Sequence, residues 1–189
     1  NPFDLLIERD SSRTTNPDFV FLSNQPKVPV VGLILVEPQK EYKGKARHKE
    51  ANDAIYELLE NNDCAIINID TRLDVPNKWS LRTPEEIESV ISKMDVIVTT
   101  RLHGMVLGLK NGIPVLAIDA IEGGAKINMQ AQTIKWPNAF IINQFKKEEL
   151  QEGFEYCLSP EARIKTKSSK DLATSLLQEK KKLLINFIS

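Results

Sequence analysis

The chain has 189 residues, 41% hydrophobic and 27% charged, which suits one globular domain around a sizeable core, with or without an appendage. With 25 basic and 26 acidic residues the net charge is −1, so electrostatics give no case for a nucleic-acid partner. Cys64 and Cys157, far apart, read as reduced buried thiols rather than a disulfide framework or a metal centre, and no apolar run reaches bilayer-spanning length.

No leader of secretory type is visible, which fits a cytoplasmic setting. The sequence starts at Asn1 rather than Met, and we expect a piece of a longer chain in which further residues complete the site. Residues 1–29 carry turn formers and two short apolar runs, Phe3 to Ile7 and Phe19 to Leu22. These read as strands or as a lead-in segment. Residues 30–36 are apolar throughout, the pattern of a central parallel strand. The loop after Glu37 holds Lys40, Lys43 and Lys45, then Arg47 and His48. This basic run reads as a solvated helix start, and His48 as an exposed surface residue. Ala51, Ile55, Leu58 and Leu59 mark one face of a helix ending near Asn61-Asn62.

Residues 65–69 form the next strand. Asp70, Arg72 and Asp74 lie just beyond it; they are positioned for acid–base work or a cation, but three charges in a loop usually face solvent. Thr83-Pro84-Glu85-Glu86 is a capping box with proline at the first helical position. Ile87, Val90, Ile91 and Met94 complete the apolar stripe of that helix.

The next stretch, residues 94–118, is a βαβ unit. Residues 96–99 are a buried strand, and Leu102, Val106, Leu109 and Ile113 give the following helix one face for a sheet. Gly104 and Gly108 permit close approach, Asn111-Gly112 supplies a left-handed stop before Pro114, and residues 115–118 are the next strand. A parallel sheet with right-handed crossover follows. With Thr100 as the N-cap, Arg101 and His103 fall in the first turn, at the carboxyl end of a parallel strand, where open α/β sheets bind ligands. Backbone amides, the positive helix end and a guanidinium outline an anion site. The plainer reading is a solvated Arg101 and a His103 that caps its own helix.

After residue 118, the segment DAIEGGAK runs from Asp119 to Lys126. Gly123-Gly124 lets backbone amides come close to a ligand, and a helix starting there offers a second positive end. A flexible loop is the competing reading. Asp119 and Glu122 would repel an anion unless turned away or used on sugar hydroxyls. Residues 139–142 read as a strand and 146–158 as a helix with Leu150 and Phe154 inward. A last helix over 168–187 carries Leu172, Leu176, Leu183 and Phe187 on one stripe. Its Lys180-Lys181-Lys182 run suits either an anionic membrane surface or the wet face of a packed helix.

Taken together, TTRLHG, GIPV and then Lys126 after a short loop resemble the signature of the polysaccharide pyruvyl transferases. The resemblance implies an α/β fold with a Rossmann-like parallel sheet flanked by helices, one half of a GT-B-like pair facing a cleft. It implies transfer of the enolpyruvyl group of phosphoenolpyruvate to a sugar of a cell-surface polysaccharide, closed as a ketal, without cofactor or metal. Asn16-Pro17-Asp18-Phe19 weakly resembles the family's interdomain stretch, so this chain would be the carboxyl half and the amino half-domain a missing partner. The implied division is a lead-in or linker over 1–29, a Rossmann-like domain over 30–160, and a C-terminal helix over 161–189 packing on it.

Arg101, Leu102, His103, Gly104, Gly123, Gly124 and Lys126 are the implied substrate contacts. Arg101 would hold the carboxylate or phosphate, with Lys126 as a weaker anion contact and His103 doing acid–base work. A helix N-terminus disfavours an imidazolium at His103 and a bound phosphate favours it, so its proton should arrive with the anion. The pattern departs from the family at the end of the first strand, where many relatives have an arginine that reaches the donor and this chain has Val36 and Glu37. Lysine lacks the planar fork that would replace it. A nucleotide-sugar-binding GT-B-like domain and a non-catalytic domain of the same fold are the alternatives.

Overall fold

The apolar runs assemble into one sheet of five parallel strands, β1 Val30–Ile34, β2 Ala65–Asn68, β3 Val96–Thr99, β4 Val115–Asp119 and β5 Ala139–Ile141, in the order β2-β1-β3-β4-β5. The computed structural model describes residues 4–36, 44, 46–73, 77 and 79–188, and of Leu183 and Ile188 only the backbone. Phe3, Glu37, Lys40, Lys43, Lys45 and Asp74 lie outside those residues.

Alternation along the central strands sends side chains to two cores. Val31, Leu33, Val96, Val98, Leu116 and Ile118 pack under α1 (His48–Glu60) and α5 (Lys147–Cys157). Ile34, Ile97, Val115 and Ala117 pack under α2 (Pro84–Ile91), α3 (Leu102–Lys110) and α4 (Lys126–Thr133). Strand addition runs outward from β1 to β2, then reverses and continues through β3, β4 and β5. The switch point, where the crevice of a doubly wound sheet opens, therefore lies between the carboxyl ends of β1 and β3.

Three local expectations are corrected here. Phe19–Leu22 forms one short 3-10 turn rather than a strand, and residues 4–7 have no regular structure. On α3, Met105 rather than Val106 faces the core, flanked by Gly104 and Gly108. The bare glycine faces let the helix sit so close that a Cβ on Gly108 would lie 2.6 Å from Val115 Cγ2. The stop of α3 is as read: Gly112 has φ 78°, its N–H reaches Leu109 O at 3.1 Å, and Ile113 N–H reaches Gly108 O at 2.9 Å, a Schellman closure.

The last helix, α6, spans Pro160–Ile188. It buries Ala162, Thr166 and Ser169, whereas Leu176 and Phe187 of the expected stripe are exposed. Cys157 is fully buried, and burial pushes its thiol up to about 12 although Asn138 donates to its Sγ at 2.9 Å. Among the described residues no helix is long and apolar enough to cross a membrane.

Candidate functional site

The turn between β3 and α3 is held by two threonines with separate tasks. Thr99 Oγ1 donates to Ile34 O at 2.7 Å and accepts Arg101 N–H at 2.9 Å. Thr100 Oγ1 accepts Val36 N–H at 2.9 Å and meets Asn52 Oδ1 at 3.3 Å. Thr100 is thus not the N-cap. Arg101 is, in extended conformation (φ −115°, ψ 132°), because both hydroxyls are spent tying the ends of β1 and β3 together. Leu102, His103 and Gly104 form the first turn of α3, whose amides have no intrahelical acceptor.

Arg101 is aimed along the sheet edge. Its side chain is only 14% exposed, Nη1 donates to Thr71 Oγ1 at 3.3 Å, and Asp70 Oδ1 lies 3.7 Å away. Asp70 also takes a forked pair from Arg72, with Nη2 to Oδ2 at 2.7 Å and Nε to Oδ1 at 3.1 Å. Burial pushes the Asp70 carboxyl up, but the Arg72 hydrogen bonds and the charges of Arg72 and Arg101 outweigh it and hold the group below the ordinary carboxylate value. Asp70 and Arg72 are therefore a half-buried pair that braces Arg101, not solvent-facing loop charges.

Arg101, Leu102, His103 and Lys126 line one cavity of about 290 Å³, together with Arg72 and His48. His103 and Lys126 are exposed. Gly104 faces the sheet instead, where a Cβ would lie 2.3 Å from Thr99 Oγ1. Gly123 and Gly124 do not line the cavity; both have φ 81°, and Gly124 N–H closes a turn on Ile121 O at 2.9 Å. A neighbouring cavity of about 320 Å³ shares Val36, Arg72 and Arg101 and is walled by Asn52, Tyr56 and Trp79.

The second helix end is already occupied. Asp119, at the end of β4, accepts Ala125 N–H at 2.6 Å and Asn128 N–H at 3.0 Å, so its carboxylate caps α4. Its charge answers the helix end rather than repelling a ligand. Glu122 is likewise engaged, with Arg47 Nη2 at 2.7 Å. What remains facing the cavity is a helix tip with Arg72, Arg101 and Lys126 as cations beside the His103 ring, an arrangement suited to a small dianion. Among the described residues no group of His, Cys, Asp and Glu is placed to hold a metal.

His48 departs most from its expectation. Both ring nitrogens are shielded from solvent without a hydrogen-bond partner among the described residues, and burial lowers its pKa against the pull of Asp119. A lone histidine at a helix start carries no sequence period, so nothing local signals this placement.

A doubly wound parallel sheet with a cationic cavity at its switch point defines a Rossmann-like α/β domain, one half of a GT-B-like fold. The polysaccharide pyruvyl transferase profile matches residues 8–120, and the chain belongs to that family. No curated protein matches it. Among solved structures it is similar to the spinosyn forosaminyltransferase SpnP, with TM-score 0.51 and 10% identity over 87% of this chain and 46% of that one. The glycotransferase of kitacinnamycin follows at TM-score 0.48 and 14% identity, covering 83% of this chain and 44% of that one. The UDP-GlcNAc 2-epimerase of Methanocaldococcus jannaschii matches at TM-score 0.45 and 16% identity, covering 80% and 46%. This chain thus spans less than half the length of each, and the likeness concerns the fold.

Proposed function

We propose that this chain is the donor-binding half of an enzyme that moves the pyruvyl group of phosphoenolpyruvate onto a sugar of a cell-surface polysaccharide. The observation that carries the reading is the convergence of Arg101, His103 and Lys126 on one cavity at the switch point, in a chain of this family. Phosphoenolpyruvate carries a carboxylate and a phosphate. Arg101, braced by Asp70, offers its fork to one, while Lys126 and the α3 amides hold the other. His103 gives a proton to the methylene carbon, and the neighbouring carbon becomes electrophilic. A sugar hydroxyl attacks there, phosphate leaves, and a second hydroxyl closes the ketal.

Residues 1–29 are then the linker to an amino half-domain that faces the cleft, with residues 30–160 the Rossmann-like domain and 161–189 its C-terminal helix. The setting is cytoplasmic, and Lys180, Lys181 and Lys182 would bring the chain to an anionic membrane surface.

Val36 favours a second reading. It lies two residues beyond β1 and lines both cavities, at the strand end where the resemblance implies an arginine. A nucleotide-sugar-binding domain, or one without catalysis, fits that departure. A thermal-shift screen separates these. Phosphoenolpyruvate should raise the melting temperature and lose that effect in His103→Ala, while nucleoside diphosphates leave the chain unmoved. A shift with nucleoside diphosphates alone supports the nucleotide sugar, and no shift with either supports the non-catalytic domain.

A further inference from the structure

The chemistry above uses one imidazole, yet the cavity has two in its wall. His48 opens α1, and the residues before it are pinned to the loop beyond β4. Arg47 N–H donates to Ala120 O at 2.8 Å, Ala46 pairs with Ile121 in an isolated bridge, and Arg47 Nη2 meets Glu122 Oε1 at 2.7 Å. These contacts fix the start of α1 against the cavity. A histidine retained for packing gives its N–H to a carbonyl or a hydroxyl; among the described residues His48 gives it to neither, and its second nitrogen is also unmatched.

The surrounding charges decide its protonation state. Arg72, Arg101, His103 and Lys126 share the cavity, and His48 is the first residue of α1. Guanidinium and ammonium neighbours and a helix amino end give an imidazolium no support. Among the described lining residues only Asp119 is acidic, and its oxygens are engaged by the amides of Ile121, Ala125 and Asn128. Burial keeps His48 below the ordinary histidine value against the pull of Asp119. The result is a neutral base set among cations and a proton donor.

We propose that His48 is the group that accepts the sugar hydroxyl proton, working with His103; this rests on the pyruvyl-transfer reading. Rotation about the side-chain bonds brings a ring nitrogen from the wall into the cavity. His103 gives its proton to the methylene carbon, the hydroxyl oxygen bonds to the adjacent carbon, and the hydroxyl proton passes to His48. The bond from that carbon to the phosphate oxygen then breaks, the second hydroxyl forms the ketal, and its proton leaves with the phosphate. His48 returns its proton to His103 through water, and both groups are reset.

The test is phosphate release from phosphoenolpyruvate by the full chain, with a panel of methyl glycosides bearing two neighbouring free hydroxyls, followed from pH 4.5 to 8. A base must be unprotonated, so the rate should fall as pH drops through the His48 pKa, below about 6.5. In His48→Gln the plateau rate should fall by about 100-fold and that acid limb should vanish, while calorimetric affinity for phosphoenolpyruvate stays the same. A rate kept within a few fold, or an acid limb that persists, overturns the assignment. Where the variant fails to fold, or the unaltered chain binds phosphoenolpyruvate without turnover, NMR titration of the His48 ring in the unaltered chain decides. A ring neutral at pH 7 whose nitrogens shift when the methyl glycoside is added supports the assignment, and a charged or unresponsive ring overturns it. An unaltered chain that neither binds phosphoenolpyruvate nor releases phosphate removes the pyruvyl-transfer reading, and this inference with it.

Discussion

At the scale of single residues, the site depends on a contact with no room in it. Gly104 lies against Thr99, and the same Thr99 oxygen accepts Arg101 N–H at 2.9 Å. A methyl group on Gly104 would lie 2.3 Å from that oxygen and 3.1 Å from Ile34 Cβ, so either the helix lifts or the threonine turns away. Gly104→Ala should therefore cost about 1–3 kcal/mol, read as a lower urea midpoint at unchanged slope. It should also weaken phosphoenolpyruvate binding in calorimetry, because Arg101 loses its anchor. A variant of full stability and full affinity would show that the turn adjusts freely. The β3–α3 pattern in the sequence places Arg101 and His103 at a strand end, and Lys126 comes from the family resemblance; the structure puts all three on one cavity. Parallel strands put Arg72 on the same sheet edge as the Arg101 turn, but its pairing with Asp70 and the shielding of His48 depend on contacts between distant segments, which no local period shows.

At the scale of elements, a local capping signal holds at Thr83 but fails at Thr100, whose hydroxyl is engaged by Val36 N–H and Asn52 instead. Thr83 Oγ1 accepts Glu86 N–H at 3.2 Å as the capping box implies, although the Glu86 carboxylate reaches back to Arg82 N–H rather than to Thr83. The capping of α4 by Asp119 has no local sequence signal because that carboxylate comes from a strand end six residues before Ala125 and nine before Asn128. The stripe of α6 was misread for a related reason: helical spacing shows a face, not whether anything covers it. The stop of α3 gives a clean test of element stability apart from function. Gly112 has φ 78°, and a Cβ there would meet nothing within 4 Å, so the cost of Gly112→Ala is the left-handed backbone alone, about 1 kcal/mol. Since α3 begins at the cavity and ends at the far edge of the sheet, the variant should melt earlier yet bind phosphoenolpyruvate as before. Weakened binding would mean that the helix moves as a rigid lever.

At the scale of the whole molecule, apolar surface is left open along the edge strand β2, at Ile66 and Ile67, and in runs at the two ends of the chain. Leu5, Phe19, Val20, Phe21 and Leu22 are exposed in the first segment, Phe21 to 81%. Leu177, Leu184, Ile185 and Phe187 are exposed on the last half of α6, Phe187 to 90%. Strands β1, β3 and β4 and the helices packed on them supply the two cores, and none of these end residues belongs to either. Scattered exposed apolar side chains are ordinary, but runs of four or five are uncommon on a monomer surface. The net charge of −1 adds little repulsion to keep copies apart. The 189-residue chain by itself should therefore self-associate: sedimentation velocity should show a weight-average mass that rises as concentration is raised through the micromolar range. Phe21→Ser with Leu22→Ser should reduce that rise without changing the unfolding midpoint, because neither side chain touches the core. A chain that stays monomeric throughout, or a double variant that unfolds earlier, would mean that these side chains are covered by the chain's own residues in solution.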